Sequence, residues 1–179
     1  MATDTTVEAG LESFARLLTL RDGYTARHAE RAAELAVCVG ERLGLEDGQM
    51  AVLRRAARLH DIGKIGVPDS ILRKQEPLDA DEWAVMRCHP AWGAEALATI
   101  PGFTEVATVV RFHHERWDGR GYPDGLVADA IPIESRVIGA AEAFSSMTAD
   151  RPWRSALPLA KARELMLGSA GSHFDEAVV

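Results

Sequence analysis

The chain has little of what marks several common protein classes. Its 179 residues include only two cysteines and 6% aromatic residues. Cys38 and Cys88 form no CxxC pattern, which excludes a disulfide-rich scaffold and predicts a reduced, intracellular protein. No apolar run reaches the roughly 18 residues of a membrane span, and the N-terminus lacks the basic and apolar regions of a signal peptide. We therefore expect a cytoplasmic protein with no membrane segment in this chain.

Positive charge is also in deficit. Lys and Arg number 20 against 27 Asp and Glu, which gives a net charge of -7. A general nucleic-acid binder would carry a basic surface, so we expect no DNA partner. A small anionic ligand remains compatible with this charge, because bound cations can dominate the local field. The length suits one domain with a proper core.

Strand-like alternation, internal repeats and low-complexity tracts are missing, and helical periodicity dominates. The pattern predicts an all-α fold, a single helical bundle of about seven to nine helices. We divide it into an N-terminal helix within residues 1–21 and one domain over residues 22–179. Asp79 and Glu82 predict a capping box. The predicted helices cover residues 7–20, 25–43, 48–60, 70–73, 79–88, 90–100, 103–115, 134–148 and 155–167.

A single long loop, over residues 116–132, interrupts the helices. It holds three glycines and two prolines, which predict successive tight turns. Loops of this length inside a compact domain are usually functional or disordered. Its apolar residues Trp117, Tyr122 and Leu126 favour an ordered, functional loop.

Histidine is what the chain does have in a telling pattern. His28, His60 and His113 each continue an apolar stripe of a predicted helix, and Glu142 follows Ile138 by four residues. An unpartnered polar group in such a place costs roughly 2–7 kcal/mol. Each histidine taken alone could be a core residue bonded to a carbonyl. Taken together, the clustered histidines predict a metal site built from several helices; they are His28, His60, His89, His113 and His114.

The His60-Asp61 pair suggests two ions, because an acid next to a histidine can bridge to a second one. Mixed imidazole and carboxylate ligands suit iron, manganese, zinc, cobalt or nickel better than calcium or magnesium. Two ions about 3.5–4 Å apart can hold a bridging hydroxide and clamp a phosphodiester for in-line attack. Lys64 lies where an ammonium could meet a phosphate oxygen, although it could also be a solvated surface lysine. The isolated His173 is not expected to be a ligand, and Cys88 is expected to pack in the core.

Five segments of the chain form a dense set of motifs: LHDIGKIGVPDSIL at 59–72, the pair His89-Pro90, HHERWDGRGYPDGL at 113–126, IPIESRVIGAAEAFSSMTADRPWR at 131–154 and GSHFDEAVV at 171–179. In these motifs the chain resembles the HD-GYP family, a subgroup of the HD-domain metal-dependent phosphohydrolases. The resemblance covers nearly everything from about residue 22 onward.

The resemblance implies an all-helical fold around a metal centre, often of iron or manganese, and hydrolysis of cyclic di-GMP to pGpG and then GMP. By position, one ion would be held by His28, His60, Asp61 and Glu142. Asp61 would bridge to a second ion held by His89, His113 and His114. Contacts to the phosphate or guanine would come from Lys64, Arg151 and Arg154. Tyr122 would either line the substrate site or shape the loop.

Three departures from the family pattern bear on this expectation. The usual metal-binding Asp is Glu142, a second acid of that stretch is Ser145, and the position linked to a third ion is Tyr24. We therefore expect two ions rather than three. The chain ends earlier than its relatives usually do and carries no sensor domain, so it reads as a catalytic fragment of a longer signalling protein.

Two other functions stay open. One is a module that binds cyclic di-GMP or a diguanylate cyclase without turnover. The other is a different di-iron chemistry of the HD type, such as oxygenation or cleavage of another nucleotide.

Overall fold

The computed structural model describes residues 10, 13, 23–150 and 155–179, with the backbone alone for residues 23–28. The predicted helix over residues 7–20 therefore lies outside the described residues, apart from 10 and 13. The described ranges hold eight α-helices and two 3-10 turns, at Ile62–Gly66 and Ala128–Ala130. The helices are α1 (Gly23–Leu43), α2 (Asp47–Leu59), α3 (Asp69–Leu72), α4 (Ala80–Met86), α5 (His89–Ala98), α6 (Thr104–Phe112), α7 (Ile133–Met147) and α8 (Leu159–Gly168).

The all-α prediction is confirmed. Extended pairing in the described ranges is limited to two isolated bridges, Asp118 with Val127 and Ala170 with Phe174. None of the described helices is both long enough and apolar enough to cross a bilayer.

The core lies between α1, α2, α6 and α7. Helix α1 packs along both α7 and α2, and α6 packs on α5 and α2. Ala36 and Ala141 are buried between these helices, and such small side chains let helix axes approach closely. Leu53 and Val110 are fully buried, each contributing roughly 1.5–3 kcal/mol of transfer free energy. This packing brings the ends of α2, α5 and α6 together beside α7.

Helix α4 begins as the sequence predicts. The Asp79 carboxylate accepts the Glu82 backbone N–H at 2.9 Å, and Glu82 Oε2 accepts the Asp79 N–H at 2.9 Å. This reciprocal pair is a capping box, which satisfies two of the donors that a helix start leaves open. The box fixes the start of the helix that leads into His89.

The predicted start of the last helix, at residue 155, is wrong: α8 begins at Leu159. Pro158 has extended backbone angles, with φ -55° and ψ 141°. Leu157 N–H donates to Met147 O at 2.9 Å, and Ala156 N–H donates to the Asp150 carboxylate at 2.8 Å. One of these bonds goes to the last residue of α7 and the other to Asp150 beyond it. Both compete with the helical conformation, so residues 155–158 do not form the first turn of α8.

The turn after the His60-Asp61 pair packs directly on the start of α5. A Cβ atom on Gly63 would overlap the His89 carbonyl oxygen and lie 2.6 Å from Gly93 N. Only glycine allows this approach of two backbones. Gly63 therefore fixes the distance between Asp61 and His89.

Candidate metal centre

The predicted ligands come from helix ends. His60 is the C-terminal capping residue of α2, and Asp61 follows it. His113 is the corresponding capping residue of α6, and His114 follows it. His89 is the first residue of α5. Glu142 differs, since it lies within α7.

The described ligands meet in two neighbouring groups, each with donor atoms within 4.8 Å of one another. We call His60, Asp61 and Glu142 the acid group, and His89, His113 and His114 the histidine group. The two groups adjoin: Asp61 Oδ1 lies 3.5 Å from His89 Nε2, and Glu142 Oε2 lies 3.8 Å from His114 Nδ1. Six residues separated by up to 82 positions therefore form one polar cluster, as the sequence predicts.

Three of the histidines share one hydrogen-bonding arrangement. Nδ1 lies 2.8 Å from Ala57 O in His60, 2.7 Å from Met86 O in His89 and 2.6 Å from Val110 O in His113. Each carbonyl lies three residues earlier, in the last turn of a helix, where carbonyls lack a backbone partner. A carbonyl only accepts, so each Nδ1 carries the proton and each Nε2 keeps a lone pair.

The Nε2 atoms of these three histidines are buried and have no hydrogen-bond partner among the described residues. A bond to a backbone carbonyl was the alternative to metal binding in the sequence interpretation. Here that bond satisfies Nδ1 of each ring but leaves Nε2 without a partner. The orphaned lone pairs face one another and two carboxylates. Imidazole nitrogens oriented by a backbone carbonyl are typical metal ligands, so these residues fit a transition-metal site.

Burial keeps the histidine group neutral. Desolvation, with the Lys64 ammonium next in importance, lowers the pKa of His89 to about 3. Desolvation also lowers the pKa of His114 to about 4, and it lowers that of His113 well below the usual value. These side chains are therefore unprotonated at neutral pH, which is the form that binds metal ions.

Asp61 is the ionised centre of the cluster. It is fully buried, and burial opposes its ionisation, but the Lys64 ammonium and then the His60 ring hold the pKa of this carboxyl well below its usual range. Lys64 Nζ donates to Asp61 Oδ2 at 2.7 Å. The lysine is half-buried rather than a solvated surface residue. Its charge offsets part of the negative charge of the acid group.

Tyr122 brings the long loop onto the histidine group. Its ring stacks on His114 with a centroid distance of 4.8 Å and an interplanar angle of 28°. Its backbone N–H donates to His114 O at 3.2 Å. Desolvation and the nearby charges of Glu142 and Asp61 raise the pKa of the phenol, so Tyr122 keeps its proton and can donate it to an acceptor.

The sequence interpretation missed Glu115, which ties the loop to the ligand pair. Glu115 is 8% exposed, and its Oε1 accepts the N–H groups of Asp124 at 2.7 Å and Gly125 at 2.9 Å. A Cβ on Gly121 would lie 2.5 Å from Glu115 Cα, so the loop backbone passes directly against this residue. The position of Glu115 in the sequence, directly between His114 and the glycine-rich loop, was the signal that could have indicated this role.

Three predicted site residues lie outside the described side chains. His28 is in the first turns of α1, where only the backbone is described, and Arg151 and Arg154 fall in residues 151–154. His173 and Cys88 do not belong to the two groups. His173 stacks on Phe174. Cys88 does not pack in the core as expected: it is half-buried and donates its S–H to Ala84 O at 3.3 Å.

A cavity of about 220 Å³ adjoins the centre. Its lining includes His113, His114 and Glu142 of the two groups and Phe174 and Asp175 of the C-terminal segment. The cluster therefore has open space beside it for part of a substrate.

Comparison with known proteins agrees with this geometry. A family model described as HD domain matches residues 12–178. A cyclic di-GMP phosphodiesterase response regulator of Xanthomonas campestris is 40% identical over 171 residues, which cover 94% of this chain and 45% of the relative. A 3'3'-cGAMP-specific phosphodiesterase of Vibrio cholerae is 37% identical over 163 residues, which cover 91% and 35%. The chain thus spans less than half the length of these curated relatives.

Two solved structures share the fold. An HDG"Y"P protein from Bdellovibrio bacteriovorus superposes with a TM-score of 0.65 at 22% identity, over 84% of this chain and 49% of that one. A cyclic GMP-AMP specific phosphodiesterase of Vibrio cholerae gives 0.62 at 31% identity, over 98% and 39%. With the family match and the motifs around the two ligand groups, these likenesses show that the chain belongs to the HD-domain family, within its HD-GYP group.

Proposed function

We propose that this chain hydrolyses a phosphodiester bond of cyclic di-GMP at a centre of two transition-metal ions, iron or manganese. The observation that carries the proposal is the set of three buried, unpartnered Nε2 atoms facing Asp61 and Glu142. Such atoms are rare in folded proteins and call for a partner. The named activities of the relatives supply the substrate class: two are phosphodiesterases of cyclic dinucleotides.

The ligand assignment follows the two groups. His60, Asp61 and Glu142 would hold one ion, with His28 of α1 completing that set. His89, His113 and His114 would hold the other. Asp61 would serve both, which its 3.5 Å approach to His89 Nε2 supports. Glu142 is one methylene longer than the usual aspartate, and its carboxylate still lies within 4.8 Å of the ligand atoms of His60 and Asp61.

When bound, the two ions would supply Lewis acidity for the phosphoryl group and a nucleophile derived from water at neutral pH. The chain's own residues would do the rest. Lys64 would balance the charge of Asp61 and face a phosphate oxygen. The neutral Tyr122 phenol would donate a hydrogen bond to the substrate. The low pKa values of the buried His89 and the half-buried His114 keep their lone pairs available for metal. Arg151 and Arg154 remain proposed contacts to phosphate or guanine.

The experiment is turnover of cyclic di-GMP by the purified chain, loaded anaerobically with iron or with manganese. We expect pGpG, followed by GMP, to accumulate in chromatography. Asp61→Asn is the matched inactive variant, and Asp69→Asn, on the exposed face of α3, is the control for loss of one acid. Absence of both products with either metal, in protein that holds metal, would contradict the proposal.

A second candidate is nucleotide binding without turnover. It is favoured by Ser145, which is fully buried on α7 one turn from Glu142 and takes the place of an acid in the family pattern. In that case the metal-loaded chain would bind cyclic di-GMP but release no product. Activity gained by the double variant Glu142→Asp with Ser145→Asp would support this candidate, and full activity of the unmodified chain would exclude it.

A further inference from the structure

Arg87 lies at the rim of the metal centre, where it contacts the Tyr122 ring that stacks on His114. It follows the last residue of α4, and its guanidinium carbon is 5.8 Å from the centroid of the Trp83 ring and 5.7 Å from that of Tyr122. Tyr122 in turn stacks on His114. The two aromatic rings therefore hold a cation next to Tyr122, which itself lies against the histidine group.

Arg87 differs from its neighbours in what it pairs with. Arg111 lies 2.6 Å from Asp124, Arg116 lies 2.7 Å from Asp118, and Arg136 lies 2.8 Å from Asp175. Arg87 is exposed, and no carboxylate of the described residues forms an ion pair with it. The aromatic rings of Trp83 and Tyr122 contact the guanidinium without forming an ion pair, so its N–H groups stay available for an anion.

We propose that Arg87 binds a phosphate of the cyclic dinucleotide, namely the one that does not react at the metal centre. The proposal rests on the proposed function. A cyclic dinucleotide carries two phosphates, and a single metal centre can take only one of them. Lys64 pairs with Asp61 and would face the reacting phosphate, whereas Arg87 is exposed and available for the second one. In a chain of net charge -7, such a local cation favours the binding of a doubly anionic ligand.

A purely structural role for Arg87 makes a different prediction. The residue caps the C-terminal end of α4, where a positive charge favours the helix dipole, and it covers the Tyr122 ring. A structural residue would lower thermal stability or kcat when replaced. A phosphate contact would instead raise KM and leave kcat, metal content and the melting temperature almost unchanged.

The test compares Arg87→Ala with Arg54→Ala in the metal-loaded chain, using kinetics and calorimetric titration with cyclic di-GMP. Arg54 is exposed on α2 and pairs with Glu41 at 3.4 Å, so its replacement removes the same charge away from the centre. We expect Arg87→Ala to raise KM and Kd by about 10-fold or more, with kcat within about 2-fold of wild type. Arg87→Lys keeps the charge but loses the planar fork, so an intermediate effect is expected.

Ionic strength separates a phosphate contact from a base contact. An exposed charge pair is screened by salt, so the Arg87→Ala effect should shrink between low and high salt. An effect of constant size, or one equal to that of Arg54→Ala, would overturn the proposal. If the wild-type chain turns over cyclic di-GMP but Arg87→Ala has the same KM and Kd as Arg54→Ala, the proposed function stands and the phosphate contact falls. If the metal-loaded wild type neither binds nor hydrolyses the nucleotide, both fall.

Discussion

The acid group and the histidine group lie side by side, but they hold charge in opposite ways. The histidine group consists of imidazoles that burial keeps neutral, so it places no negative charge around an ion. The acid group contains an ionised, fully buried Asp61 with the Lys64 ammonium 2.7 Å away. An ion in the histidine group would have only the shared Asp61 carboxylate beside it, whereas an ion in the acid group would also have the Glu142 carboxylate and would keep less of its charge.

This difference suggests a division of labour within the proposed centre. The ion with the stronger remaining charge would attract the phosphate, because Coulomb attraction to an anion is larger when fewer carboxylates offset the charge of the ion. The ion in the acid group would be bound more tightly, since carboxylates offset its charge. Asp61 contacts both groups, so it couples two otherwise different sites.

The largest expected effect breaks both groups at once. Asp61→Asn keeps the shape of the side chain but removes the shared charge. The affinity for both ions and the rate of phosphodiester hydrolysis should each fall by at least about 100-fold, so the isolated protein should contain little metal. Elemental analysis of anaerobically isolated protein measures the first, and product chromatography the second. Asp69→Asn serves as control. A normal metal content in Asp61→Asn would show that the aspartate is no shared ligand.

Breaking the histidine group alone should have a smaller effect on metal content. His89→Ala removes one imidazole of three and leaves the acid group intact, so we expect close to one ion per chain to remain. Activity should still be lost, because the ion facing the phosphate is missing. If His89→Ala loses both ions as completely as Asp61→Asn does, the two groups form one indivisible site and the comparison fails.

The loop offers a way to perturb the histidine group without touching a ligand. Glu115→Ala removes the acceptor of two loop N–H bonds, at 2.7 and 2.9 Å, which should cost about 1–3 kcal/mol of stability. Tyr122 would lose its fixed position over His114, so kcat should fall by about 10-fold while metal content stays normal.

Glu115→Gln is the matched variant, because its amide oxygen still accepts both N–H groups. It should retain most of the activity, which separates the geometric role of Glu115 from its charge. Equal losses in the two variants would instead assign the effect to the carboxylate charge. Thermal melting and steady-state kinetics of the three proteins make the comparison.

The described fold and much of the site could be predicted because both depend on local patterns. Helical periodicity and the Asp79–Glu82 capping box determine where helices form, and the ligand residues follow apolar stripes that must face a core. The start of α8 could not be predicted, because it depends on hydrogen bonds from residues 156 and 157 to Asp150 and Met147, which no helical pattern reveals. Arg87 and Glu115 were missed for the same reason. Their loop partners are Tyr122 for Arg87 and Asp124 with Gly125 for Glu115, at least nine positions away, which no local pattern reveals.

The smallest expected effect is the pH dependence of stability in the metal-free protein, and it belongs to the histidine group. The pKa values of His89 and His114 are about 3 and about 4 in the folded chain, against a usual value of 6.5. As the pH falls below about 6.5, the unfolded chain therefore binds protons that the folded chain does not. The stabilising contribution is complete above that pH and is lost progressively towards pH 4. Thermal melting between pH 7.5 and 5 should show a falling midpoint, and His89→Gln should flatten the decline while Asp69→Asn leaves it unchanged. A midpoint that stays level across this range would mean that the buried imidazoles gain protons in the folded state, and the neutral character of the histidine group would have to be abandoned.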